Sequence, residues 1–103
     1  MPYGVIVTMS APVGTYDVLH AELKRVASQA IRGLLVHIAR PTADGFQLIE
    51  VWESKQDLDR YNQEVVWPLS ARLFPDQSAS DQQMDTEEFE VRGLVIPQGD
   101  IIL

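Results

Sequence analysis

Between residues 34 and 53 the chain carries two short apolar segments, each apolar on both of its faces. In the first, Leu35 and Ala39 oppose Leu34, Val36 and Ile38; in the second, Leu48 and Trp52 oppose Ile49 and Val51. Side chains alternate across a strand, so strands of this kind need cover on both faces of their sheet. The turn-forming stretch Pro41 to Gly45 joins the two segments into a hairpin. The remaining sequence offers only two helices, which can cover one sheet face. The simplest cover for the other face is a second copy of the same chain.

The rest of the chain fits that frame. Tyr3 to Met9 reads as a strand, and Ser10 to Gly14 as a loop. Thr15 reads as an N-cap with Asp17 in the first turn of a helix. Leu19, Leu23, Val26, Ala27 and Ala30 form its apolar face, and Gly33 stops it. Leu34 to Arg40 and Phe46 to Glu53 are the second and third strands. Ser54 caps a second helix, with Asp57 three residues on as a shortened capping box. Leu58, Val65, Val66, Leu69 and Leu73 share a face of this helix, and Pro68 should kink or restart it. Phe74 to Thr86 reads as an acidic loop. Glu87 to Ile96 alternates charge and apolarity at first, as a half-buried strand does. The order is βαββαβ. Pro97 to Leu103 forms a C-terminal extension whose Ile101, Ile102 and Leu103 are expected to dock on the partner subunit.

The length, 103 residues, suits one domain spanning 1–103. A net charge of −7 argues against nucleic acid, whose phosphates call for clustered Lys and Arg, and against an anionic membrane surface. The absence of cysteine excludes disulfides, thiolate metal sites and a thiol nucleophile, and favours the cytoplasm. The two His residues have no carboxylates at ligand spacing, so no metal site is expected. No glycine-rich phosphate loop is present.

Gly33-Leu34-Leu35-Val36-His37, then Val51-Trp52-Glu53-Ser54, then Leu58, Tyr61 and Pro68 carry a resemblance that covers most of residues 3–96. These residues and their spacing resemble the dimeric α+β barrel superfamily, and in particular its antibiotic-biosynthesis-monooxygenase-like group. The resemblance implies an α+β, ferredoxin-like βαββαβ fold, with two helices on one face of an antiparallel four-stranded sheet, paired into a dimeric α+β barrel. It implies a homodimer that binds a small aromatic or apolar organic ligand. The activity implied is a cofactor-independent monooxygenation or isomerisation. The alternative is a non-catalytic ligand-binding or structural dimer whose cavity is filled by its own side chains. The heme-degrading members resemble this chain less well: Tyr61 and Ala71 stand at the helix positions that matter there, and the first strand has no Asn. No heme, flavin or metal is therefore expected. The quinone-forming members use pocket Trp, Tyr, Asn and Arg residues, roles that Trp52, Tyr61, Asn62 and Arg72 could fill.

On the residues themselves, two readings stand side by side. Asn62 lies near the centre of the apolar face built from Leu58, Val65, Leu69 and Leu73, so its amide either bonds backbone or water or lines a pocket. His37 sits mid-strand among apolar neighbours. It is either a general base or an interior histidine held by a neighbouring strand, with Glu50 as its cross-strand partner if the register allows. His37, Asn62 and Tyr61 are the candidate catalytic residues, and Trp52, Arg72 and Leu58 the candidate substrate contacts. His20 reads as a surface residue, and Trp67 as pointing away from the main apolar face.

Overall fold

A computed structural model describes residues 2–26, 31–74 and 84–97. Strand β1 (Tyr3–Met9) leads into helix α1 (Val13–Val26), which returns to strands β2 (Leu34–Pro41) and β3 (Phe46–Trp52). Helix α2 (Lys55–Tyr61) passes through a π-helical turn (Asn62–Val66) into α3 (Trp67–Leu73), and strand β4 (Met84–Glu90) completes the order. The four strands form one antiparallel sheet in the order β2-β3-β1-β4. This is the expected βαββαβ unit, with the second helix divided by its π turn.

Local chemistry sets the boundaries. The first helix starts at Val13, two residues before the expected Thr15 cap. Pro12 closes its opening turn by accepting the Thr15 N–H at 2.9 Å, and a proline there gives up no donor that the helix needs. Asp17 consequently lies beyond the first turn. Gly33 has φ +93°, and a Cβ there would strike the Asp57 side chain, so the residue must be glycine on both counts. Ser54 caps α2 as expected: its hydroxyl accepts the Asp57 N–H at 3.2 Å and donates to Asp57 Oδ2 at 3.0 Å. Pro68 has no N–H, and its ring crowds the carbonyl four residues back. The chain widens ahead of it, so that the Trp67 N–H reaches Asn62 rather than the usual i−4 carbonyl.

The fourth strand lies earlier than expected. It covers Met84–Glu90 instead of Glu87 to Ile96, because β1 offers only Tyr3 to Met9 to pair with, and the register Met9↔Met84, Tyr3↔Glu90 uses all of them. Residues 91–97 leave the ladder, so the strand ends well before Pro97. Ala27, Ala30, most of the acidic loop and the tail Ile101-Ile102-Leu103 lie outside the described residues.

The registers sort the sheet into two faces. Met9, Phe46 and Pro41 lie side by side across β1, β3 and β2, as do Val7, Leu48 and Ala39, and Val5, Glu50 and His37. This is the helix-covered face: Ala11, Tyr16 and Phe46 are buried there with Met9, Ala39 and Leu48 packed round them, and fully buried Trp52 meets Tyr61 of α2. The opposite face carries Ile6, Ile49 and Ile38 in one row and Gly4, Val51 and Val36 in the next. The ring of Phe89 lies over Gly4, where a Cβ would collide with it. Ile38 is half exposed while Val51 is buried, so part of this apolar face is open among the described residues.

Candidate functional site

The hairpin register places His37 directly opposite Glu50, on the face beneath α1. His37 Nδ1 lies 2.6 Å from Glu50 Oε2. Trp52 follows two residues after Glu50 on the same face, and its indole N–H donates to Glu50 Oε1 at 3.1 Å. An indole nitrogen only donates, so Oε1 is held as an acceptor. The Glu50 side chain is 10% exposed, and a carboxylate so desolvated needs both of these donors.

Helix α1 adds the other half. The Tyr16 hydroxyl lies 2.7 Å from His37 Nε2 and 3.1 Å from His20 Nδ1, one helical turn further along. The three rings are nearly parallel: Tyr16 and His20 at 18°, Tyr16 and His37 at 16°, His20 and His37 at 2°. Phe46 tilts against Tyr16 with ring centres 5.5 Å apart. The result is a continuous chain of polar contacts, His20–Tyr16–His37–Glu50–Trp52, embedded in apolar packing. Burial, and after it the charges of Glu50 and Asp17, push the Tyr16 hydroxyl up to about 12. Tyr16 therefore carries its proton at neutral pH and works as a hydrogen-bonding hydroxyl rather than a phenolate. Tyr61 is raised further, mainly by burial and then by Glu50 and Tyr16.

The sequence-predicted residues divide in two. His37 and Trp52 belong to the chain, with Trp52 acting as a buried donor. Tyr61 is buried next to it, its ring 5.3 Å from Trp52. Leu58 is half-buried on α2, and Asn62 is half-buried at the head of the π turn, where its carbonyl accepts the Trp67 N–H. Arg72 is exposed on α3, with its guanidinium 3.7 Å from Glu22 of α1. It stands outside the hydrogen-bonded chain. His20, expected at the surface, is half-buried and stacked on Tyr16, because α1 turns this side toward the sheet. Tyr16 escaped the sequence reading altogether. The available signal was its i, i+4 spacing to His20 on the helix that must cover His37.

Two openings lie near this face. A cleft of about 120 Å³ is lined by Val13, Tyr16, Asp17, Ala39, Arg40 and Phe46, with Pro41. A broad depression of about 840 Å³ lies at the sheet end, among Thr8, Met9, Ser10, Thr42, Asp44 and Met84. Neither is lined by Asn62 or His37. Among the described residues, no three His, Asp or Glu side chains come together in a way that could hold a metal ion, and no helix is long and apolar enough to cross a membrane.

No protein-family model matches this chain, and no curated protein does. Solved structures do. A protein of unknown function from Nitrosomonas europaea, NE2512, superposes with a TM-score of 0.65 at 11% identity, over 95% of this chain and 96% of that one. A candidate antibiotic biosynthesis monooxygenase from Chloroflexus aurantiacus gives 0.54 at 24% identity, over 90% and 98%. The monooxygenase ActVA-Orf6 of Streptomyces coelicolor, in complex with nanaomycin D, gives 0.53 at 16% identity, over 94% and 92%. The chain thus has the ferredoxin-like α+β fold of the antibiotic-biosynthesis-monooxygenase-like group.

Proposed function

We propose that the protein is a homodimer that binds a small aromatic molecule bearing an ionisable hydroxyl, and that it oxidises or isomerises this molecule without a cofactor by proton transfer at Tyr16 and His37. The observation that carries the reading is the buried Tyr16–His37–Glu50 chain. A tyrosine hydroxyl donates once and accepts twice, so with bonds to both histidines its oxygen keeps one accepting lone pair. Tyr16 lines the 120 Å³ cleft, close in size to the roughly 150 Å³ that takes up benzene in an engineered cavity. A phenol seated there gives its proton to the Tyr16 oxygen while Tyr16 passes its own to His37 Nε2, and Glu50 stabilises the imidazolium. With dioxygen as co-substrate, a phenol would yield a para-quinone and water, the outcome that the resemblance to the quinone-forming members implies. Dimerisation is supported by the open apolar face built on Ile6, Ile49 and Ile38, and a cytoplasmic location by the lack of cysteine.

The second reading is a dimer that binds without turnover. The openings favour it, since neither is lined by Asn62 or His37, the residues expected to line a pocket. Oxygen uptake and product analysis with a panel of phenols and hydroxynaphthoquinones separates the two. Turnover that His37→Gln abolishes supports catalysis. Saturable binding without oxygen uptake or isomerised product supports the second reading.

A further inference from the structure

We infer that residues 91–96 form an exchanged arm: in each subunit this segment leaves its own sheet and pairs along the free edge of strand β2 of a second copy of the chain. The inference rests on the dimeric part of the proposed function and goes beyond it by naming the segment and the edge that join.

The arm is strand-forming sequence that has run out of partners in its own sheet. Val91, Val95 and Ile96 are β-branched, and Glu87 to Ile96 reads as one strand. The ladder stops at Glu90 because its partner Tyr3 is the residue at which β1 begins. Beyond Glu90 the arm belongs to no strand among the described residues. Leu94, Val95 and Ile96 are 37%, 83% and 44% exposed, three consecutive large apolar side chains that their own subunit leaves uncovered. Exposed apolar residues scattered singly are ordinary, whereas a contiguous run marks a contact surface.

The two edges of the sheet differ in what they can accept. In the order β2-β3-β1-β4, the strands β2 and β4 each leave one side of their backbone outside the ladder. Strand β4 carries Asp85, Glu87, Glu88 and Glu90, so a like strand set beside it would bring negative charges together. Strand β2 has no acidic residue. Apart from Arg40 and Pro41 at its end it reads Leu34-Leu35-Val36-His37-Ile38-Ala39, a run without the charges, proline or short length that blunt an edge, and Ile38 on it is half exposed. The arm has no acidic residue either. Fully extended, residues 91–96 reach about 20 Å, enough to run along most of the eight residues of β2. A strand added there gains main-chain hydrogen bonds and covers apolar side chains of both partners. The exposure of residues 94–96 shows that the subunit's own β2 does not take them. Reciprocal exchange between two copies uses both arms and both edges and closes the assembly, whereas one-way pairing leaves an arm and an edge over and continues as a fibre.

The test uses the full chain as a mixed dimer, one subunit carrying ¹³C-labelled methyl groups and the other ¹⁵N-labelled amides. The expected result is nuclear Overhauser contacts across the dimer from the Leu94, Val95 and Ile96 methyls to amides of β2. Val95→Asp supplies a second test. Val95 is the most exposed of the three, so a charge there should leave the subunit folded by circular dichroism while raising the dimer dissociation constant about tenfold or more in sedimentation equilibrium. A native dimer whose 94–96 methyls make no contact with the amides of β2 in the other subunit overturns the arm and leaves the dimer reading standing. So does a Val95→Asp variant that dimerises as tightly as the native chain. A native protein that is monomeric at micromolar concentration overturns both.

Discussion

Replacing Glu50 in two ways measures what its hydrogen bonds contribute. Glu50→Ala leaves two donors without partners, the Trp52 indole N–H and His37 Nδ1–H, in a region where Trp52 is fully buried and the Glu50 side chain 10% exposed. Each orphaned buried donor costs about 1–3 kcal/mol. The His37 side chain is 25% exposed and can turn to water, so the loss falls mainly on the indole N–H, about 1–3 kcal/mol of the roughly 5–15 kcal/mol that holds a domain folded. Glu50→Gln keeps the shape, accepts the indole N–H and lets His37 switch tautomer, so only the charge assistance is lost, about 1 kcal/mol. The assay is urea unfolding followed by tryptophan fluorescence, at one fixed protein concentration so that any dimer contribution is constant. The alanine variant should unfold at clearly lower urea than the glutamine variant, with similar slopes. Equal midpoints for the two would mean that Glu50 does not hold Trp52 and His37, and the reasoning about the site would fail at its base.

Further outcomes follow from the same geometry. The Tyr16 pKa is raised from about 10 in the unfolded chain to about 12, so between those values the unfolded state has lost a proton that the fold retains, and stability falls as pH rises through that window. Alkaline unfolding of native protein and Tyr16→Phe compared by circular dichroism should show a shallower decline in the variant. Gly33→Ala places a Cβ against Asp57 at φ +93° and should cost more than about 1 kcal/mol in denaturant midpoint, whereas Gly14→Ala, with open space around it, should not. Ile38→Asp puts a charge on the half-exposed apolar residue of edge strand β2 on that face and should yield a monomer by sedimentation equilibrium if that face joins two subunits. A variant that stays dimeric contradicts that assignment.

The sequence made the sheet legible because its signals are local or nearly so. Two-sided apolarity in residues 34–53 marked the β2–β3 hairpin, Ser54 with Asp57 marked the second helix start, and Pro68 marked the restart at Trp67. Boundaries set by a distant partner were not legible. The limits of β4 depend on how many residues β1 offers, and no pattern within residues 84–96 encodes that number. The site divides on the same line. His37 and Glu50 face each other across a short hairpin, so the sequence suggested the pair subject to the register that the sheet adopts. Tyr16 and His20 reach His37 only because α1 crosses the sheet at one particular place, which depends on packing of Ala11, Tyr16 and Phe46 across the whole unit. Arg72 was drawn in by resemblance and Asn62 also by its place on the apolar helix face, and α3 directs Arg72 to Glu22 instead.

The central claim is that ligands engage the Tyr16–His37–Glu50 chain. The most direct measurement is an NMR titration of labelled full-length protein with a panel of phenols and hydroxynaphthoquinones, following backbone amides and the two imidazole rings together. The account predicts saturable shifts centred on Tyr16, Phe46 and the rings of His37 and His20, weakened in Tyr16→Phe. Saturable shifts confined to Asn62 and Arg72, or to the sheet end around Thr8 and Asp44, with both imidazole rings unmoved, would contradict it.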